Sequence, residues 1–177
     1  LLNFCFLMGA LGIGGMPLWN GYTSKTLLHE SIVEYRHMLV SANAGGAGWM
    51  QAVEWIFLIS GGMTVAYMLK LYICLFVEKN NDRKCQERFD GMKHYMNGLS
   101  GFTLAGSAVL LPLLGLLPHL ITDRLADMSA AFLNAESLKT VVAYFSLINL
   151  KGAAISILIG LLLYVLVVRK WMEAVQD

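Results

Sequence analysis

Residues 11–25 read Leu11-Gly12-Ile13-Gly14-Gly15-Met16-Pro17-Leu18-Trp19-Asn20-Gly21-Tyr22-Thr23-Ser24-Lys25, and this stretch decides the fold. Residues 1–24 carry no formal charge. A membrane helix needs about 20 consecutive apolar residues, so the segment is long enough to cross a hydrocarbon core. The helical pattern continues past it to residue 38. A helix running unbroken to Tyr35 would measure about 50 Å, against a hydrocarbon core of about 30 Å. Pro17 removes a backbone donor, and Gly12, Gly14 and Gly15 weaken helix locally. The sequence therefore predicts a broken helix over 1–38 that interrupts around Gly12–Pro17 and restarts near Leu18. Irregular backbone at membrane depth is tolerated only where protein or a water-filled cavity surrounds it, so the break is already a functional signal.

The rest of the chain fits that environment. Of 177 residues, 57% are hydrophobic and only 14% charged, and the mean hydropathy is +0.61. Ordinary soluble domains carry roughly a quarter charged residues. Three further apolar runs are expected to span: 53–77, 99–122 and 146–168, with Pro112 and Pro118 bending or ending the third. The predicted fold is an all-α polytopic bundle with four spans, the first of them broken. A formal charge of +1 excludes nucleic-acid capture as the main activity. Three cysteines without a CxxC pair give no disulfide framework, and His29, His37, His94 and His119 show no zinc spacing. No metal and no cofactor is expected. The chain opens without a methionine or a basic n-region; it is expected to be a piece of a longer protein rather than to start with a signal peptide.

Loop charges set the expected orientation. The loop at 78–95 holds Lys79, Arg83, Lys84, Arg88 and Lys93, and Arg169 and Lys170 follow the last span. The connection at 120–146 holds Arg124 and Lys139 against Asp123, Asp127 and Glu136. Four spans put both basic segments on one face, which the positive-inside rule makes cytoplasmic. Leu125, Met128, Phe132, Leu138, Val142 and Phe145 recur at roughly helical spacing, predicting an amphipathic surface helix over 123–145 packed on the bundle. Ser41–Gly48 (SANAGGAG) reads as a flexible loop.

Lys25 is the most informative side chain. A lysine at mid-membrane costs about 2.5–3.5 kcal/mol to insert and is seldom there without a role. Partly desolvated lysines can both take and release a proton. His29 stands one turn on along the same face, and Glu30 and Glu34 form an acidic stripe. Lys70, inside the 53–77 span, is a second candidate, although snorkelling to the surface explains it as well. Glu54, Lys151 and His119 read as boundary residues. The glycines do not spell GxGxxG and no GK[ST] follows, so no nucleotide site is expected. No nucleophile–base pair is visible either, and no catalytic residue is assigned.

The run Gly14–Lys25 resembles a motif of small residues followed by Pro–x–x–x–Gly–aromatic–x–Ser–Lys. That motif belongs to the antiporter-like proton-translocating subunits of respiratory complex I, membrane-bound hydrogenases and Mrp-type sodium/proton antiporters. More weakly, the resemblance covers the whole chain and corresponds to the C-terminal third of such a subunit. It implies that Lys25 is the outer member of a chain of buried polar residues that passes protons, with Gly14, Gly15, Pro17 and Gly21 shaping the break. The family's other proton-path residues lie upstream of this part. His29 and Glu30 fall outside the motif, and their proton-transfer role is read from the residues alone. The resemblance further implies a non-catalytic transport subunit with no redox site of its own, in a prokaryotic cell membrane. Its partners would be other membrane subunits of an NADH:quinone oxidoreductase or hydrogenase complex, the lipid bilayer, and protons or sodium. A sodium/proton antiporter subunit and a non-transporting four-span scaffold are the two other readings.

Overall fold

The computed structural model describes residues 1–80, 82–92, 96–134 and 142–176, the last four as backbone alone. Among them there is no strand. The helices are α1 (Leu2–Gly14), α2 (Asn20–Ser41), α3 (Ala47–Phe76), α4 (Arg83–Asp90), α5 (Gly98–Leu116), α6 (Pro118–Phe132), α7 (Leu147–Leu163) and α8 (Arg169–Gln176). A π-helical turn, Tyr164–Val168, joins α7 to α8 without a bend into loop. Three helices are long and apolar enough to cross a membrane: α3, α5, and α7 continued to Met172. Helix α1 is apolar but only 13 residues long. At 1.5 Å per residue it rises about 20 Å, short of a hydrocarbon core by itself.

Each boundary has a local cause. Gly15 ends α1 in the left-handed region (φ 76°), and the Gly15 and Met16 amides donate back to the Gly12 and Leu11 carbonyls. That is a Schellman-type stop, which an L side chain resists. Leu18 is also left-handed (φ 78°), a conformation costing about 1–3 kcal/mol that survives only when its surroundings dictate it. The break thus occupies residues 15–19, slightly later than Gly12–Pro17, and Pro17 lies within it rather than in either helix. Ser146 caps α7 by accepting from the Asn149 amide at 3.3 Å, and Asp82 caps α4 by accepting from Lys84 and Cys85. Ser41 still belongs to α2, so the expected loop shrinks to the turn before Ala47.

Helix α3 is the hub. α7 lies along one side of it, α1 and α2 along another, and α5 packs on α1 and α2. Small residues set the α3–α7 approach. A Cβ on Gly62 would lie 2.6 Å from Ile159 Cγ2, and one on Gly160 2.6 Å from the Gly62 carbonyl. Ser156 Oγ donates to the Leu58 carbonyl across the same seam at 2.7 Å. Packing by small residues with an occasional hydroxyl bond is how helices associate where no hydrophobic drive exists between them. The chain exposes 12395 Å², against about 8,500 Å² for a compact soluble monomer of this mass. Trp49, Phe102 and Leu147 are among many large apolar side chains left uncovered, a surface suited to lipid or neighbouring membrane helices.

The connector after α5 differs from its expected form. Pro118 opens a new helix at its first turn, where proline fits best, so residues 118–122 leave the third span and join α6. Asn134, at φ 54°, follows the end of that helix. Leu125, Met128 and Phe132 are exposed rather than packed on the bundle. Val142 to Ser146 form turns, and Tyr144 enters the core with 1% exposure. A single amphipathic helix over 123–145 is therefore incorrect: a proline start and an asparagine stop confine the helix to 118–132. Leu138, together with Lys93, His94, Glu136 and Lys139, lies outside the described residues.

Candidate functional site

Two helix ends meet at the break and leave a polar gap. A Cβ on Gly21 would run into the Gly12 carbonyl, and one on Gly115 into the Leu18–Trp19 backbone. Glycine at both positions lets α2 and α5 close on the interruption. Gly14 belongs to the last turn of α1, where carbonyls lack helical partners and the helix dipole is negative. Lys25 Nζ donates to the Gly14 carbonyl at 3.0 Å. A Cβ on Gly15 would lie 2.7 Å from Lys25 Cδ, so the glycine also makes room for the lysine stem.

The lysine lines a cavity of about 40 Å³ with Tyr22, His29, Gly61, Asn149 and Ser156 among its walls. At roughly 10–15 Å³ per water, about three waters fit, and the polar atoms of Lys25, His29, Asn149 and Ser156 supply partners. His29 stacks on Phe57 with ring centroids 6.0 Å apart. Its Nε2 lies 3.5 Å from Glu54 Oε1, and Glu54 Oε2 lies 3.2 Å from Arg36 Nη1. Gln51 donates to the same carboxylate at 3.4 Å, and Arg36 also reaches Gln51.

A second polar wall stands on α7. Asn149 Nδ2 donates to the Ala143 carbonyl at 3.0 Å and to Glu30 Oε2 at 3.3 Å. Tyr22 donates to the Tyr144 carbonyl at 2.6 Å, and the Tyr144 hydroxyl donates to Asp123. Asp123 also meets His119 Nδ1 at 2.8 Å. Burial pushes the Tyr144 phenol up, and the bond to Asp123 adds to the shift. This phenol stays a donor at neutral pH and ties the turn to α6, while the Tyr144 carbonyl ties it to α2 by accepting from Tyr22.

Of the residues expected to transfer protons, Lys25 and His29 face one cavity, and Glu30 reaches its edge through Asn149. Lys70 stands apart. It is exposed in a groove of about 850 Å³ between α3 and the end of the last helix, beside Tyr67, Cys74, Glu78 and Trp171. Nine residues separate it from Gly61 at the cavity wall, about 14 Å along α3. Glu34 is exposed. Glu54 is the residue the boundary reading missed. It is the one acidic side chain in α3, and an acid within an apolar helix is itself the signal. Among the described residues no three of His, Cys, Asp and Glu converge as a metal would require. No family model matches the chain, and neither the curated proteins nor the solved structures yield a match.

Proposed function

We propose that this chain is part of an antiporter-like proton-translocating membrane subunit, in which Lys25 exchanges protons at the break of a discontinuous helix. One observation carries the reading: a half-buried lysine sits on the open carbonyl end of α1 and faces a small cavity lined by His29, which in turn meets Glu54. In this reading α1 and α2 together make one crossing, and with α3, α5 and α7 the chain crosses four times. The loop around α4 and the C-terminal end lie on the cytoplasmic side of a prokaryotic cell membrane, following the positive-inside rule. The cavity then opens toward the outer half. Redox chemistry belongs to partner subunits of an NADH:quinone oxidoreductase or hydrogenase complex, with the Mrp-type sodium/proton antiporter as the neighbouring assignment.

A second reading has its own observation. By donating to Gly14, Lys25 completes the C-terminal cap of α1, which a non-transporting scaffold would also need. The test is Lys25→Ala in the assembled complex, with proton uptake followed in inside-out membrane vesicles. The transport reading expects a loss of about tenfold or more at unchanged subunit content. Undiminished uptake would sink it and leave the scaffold.

A further inference from the structure

Lys25, His29 and Arg36 lie four and seven residues apart on α2, a spacing that stacks them on one face. That face meets Glu54 of α3, whose two oxygens contact His29 and Arg36 separately. The side chains of His29 and Glu54 are only 12% and 18% exposed. His29 Nε2 is buried and has no hydrogen-bond partner, the Glu54 oxygen at 3.5 Å being its nearest ionic neighbour. The ring also faces the cavity: a Cβ on Gly152, a cavity-lining residue, would lie 3.4 Å from His29 Cε1, 3.7 Å from Nδ1 and 4.0 Å from Nε2. One imidazole thus lines the lysine's cavity and meets a carboxylate through Nε2.

Resting on the transport reading above, we propose that Glu54, reached through His29, is the group that draws the proton away from Lys25. Glu30 is not that group. The Lys25 ammonium releases its proton to cavity water, which delivers it to His29 Nδ1. Nε2 closes the 3.5 Å to Glu54 Oε1 and gives up its proton there, which leaves the ring neutral with the proton on Nδ1; exchange between the two neutral tautomers then restores Nε2–H. Glu54 then releases the proton at the Arg36–Gln51 end, because the fixed Arg36 cation favours the carboxylate. Every group ends as it began once Lys25 takes up its next proton. Among the described residues, Tyr22 lines the same cavity as His29, and Glu30 lies behind Asn149. Asn149 stands between Glu30 and the cavity and donates to its carboxylate, and an amide donor does not relay protons.

The experiment compares His29→Asn, Glu54→Gln, Glu54→Asp and Glu30→Gln with Lys25→Ala in vesicles holding the assembled complex. Proton uptake is read against the amount of subunit in the membrane. H29N and E54Q are expected to lose about tenfold or more, E54D to keep about half of the parental uptake, and E30Q to stay within about twofold. E54Q within about twofold of the parent overturns the assignment, as does E30Q losing as much as E54Q. Loss in K25A with either of these outcomes leaves transport standing and moves the exit elsewhere. An undiminished K25A rejects transport itself.

Discussion

Lys25 and Lys70 are the same residue type, each set within a helix, yet they occupy opposite situations. Lys25 is held on a backbone carbonyl at a helix interruption, against a cavity with room for water. Lys70 lies on an unbroken helix, exposed in a broad apolar groove near its basic end. An interruption supplies what an intact helix cannot: open carbonyls to hold an ammonium, and a gap that the lysine stem does not fill. Charge in an apolar helix is therefore an incomplete signal. The state of the backbone beside it decides whether the charge is held within the bundle or carried to the surface.

Several substitutions break or sharpen that contrast, and the largest effect belongs to Lys25→Arg. Arginine keeps the positive charge and the donors, so a purely structural cap on α1 would survive it. It stays protonated, so vesicle proton uptake should fall about as far as in K25A, by tenfold or more. Retention of uptake in K25R would assign Lys25 to capping alone.

Gly15→Ala comes next. The added Cβ meets the lysine stem, and the left-handed backbone costs a non-glycine residue about 1–2 kcal/mol. Displacing Nζ from Gly14 without changing any charge should lower uptake about three- to tenfold, with less subunit recovered in the membrane. Parental uptake in G15A would show that the hydrogen bond to Gly14 is dispensable.

Lys70→Gln should change uptake by less than about twofold, since a snorkelling side chain gives up little when neutralised. A loss comparable to that of K25A would return Lys70 to the proton path and erase the contrast.

The smallest effect lies in the loop beyond Lys70. The thiol of Cys85 and the amides of Lys84 and Cys85 hold the Asp82 carboxyl below the usual carboxylate range. A folded-state value below the unfolded one makes the cap of α4 fully effective above about pH 4. It is lost only as pH falls through the lowered value. Protection of the Lys84 and Cys85 amides, relative to unstructured amides at the same pH, should hold down to about pH 4 and fall below it, with Asp82→Ala unprotected at every pH. Equal protection in D82A and the parent would remove the cap.

Much of the site was legible in one dimension. Uncharged length, Pro17 and the glycines imply a break, and a lysine within the same stretch implies use. The exact stop was not, because Gly12, Gly14 and Gly15 each offer a place to end a helix, and Leu18 adopts its left-handed backbone where Gly115 of α5 packs against it. Glu54 was read as a boundary residue because position along α3 says nothing about which helix faces it. Tyr144 was passed over because a tyrosine in a polar connector gives no sign that its carbonyl will accept from Tyr22. The amphipathic helix over 123–145 failed for a related reason: periodicity counts side chains, whereas Pro118 and Asn134 set where the helix begins and stops.

By itself, then, the sequence determined what depends on local chemistry: an all-helical chain, apolar lengths suited to a membrane, an interruption, and the presence of Lys25 and His29 one turn apart. Tertiary structure alone decided what depends on distance between helices. It brought Glu54 to His29, closed α7 on α3 through small residues, placed a carbonyl under Lys25 and left Lys70 outside. The physical reason is that helical pattern fixes the direction of a side chain relative to its own axis. What it meets is fixed by how closely a second axis can approach, and here glycines and a serine on four different helices set that approach.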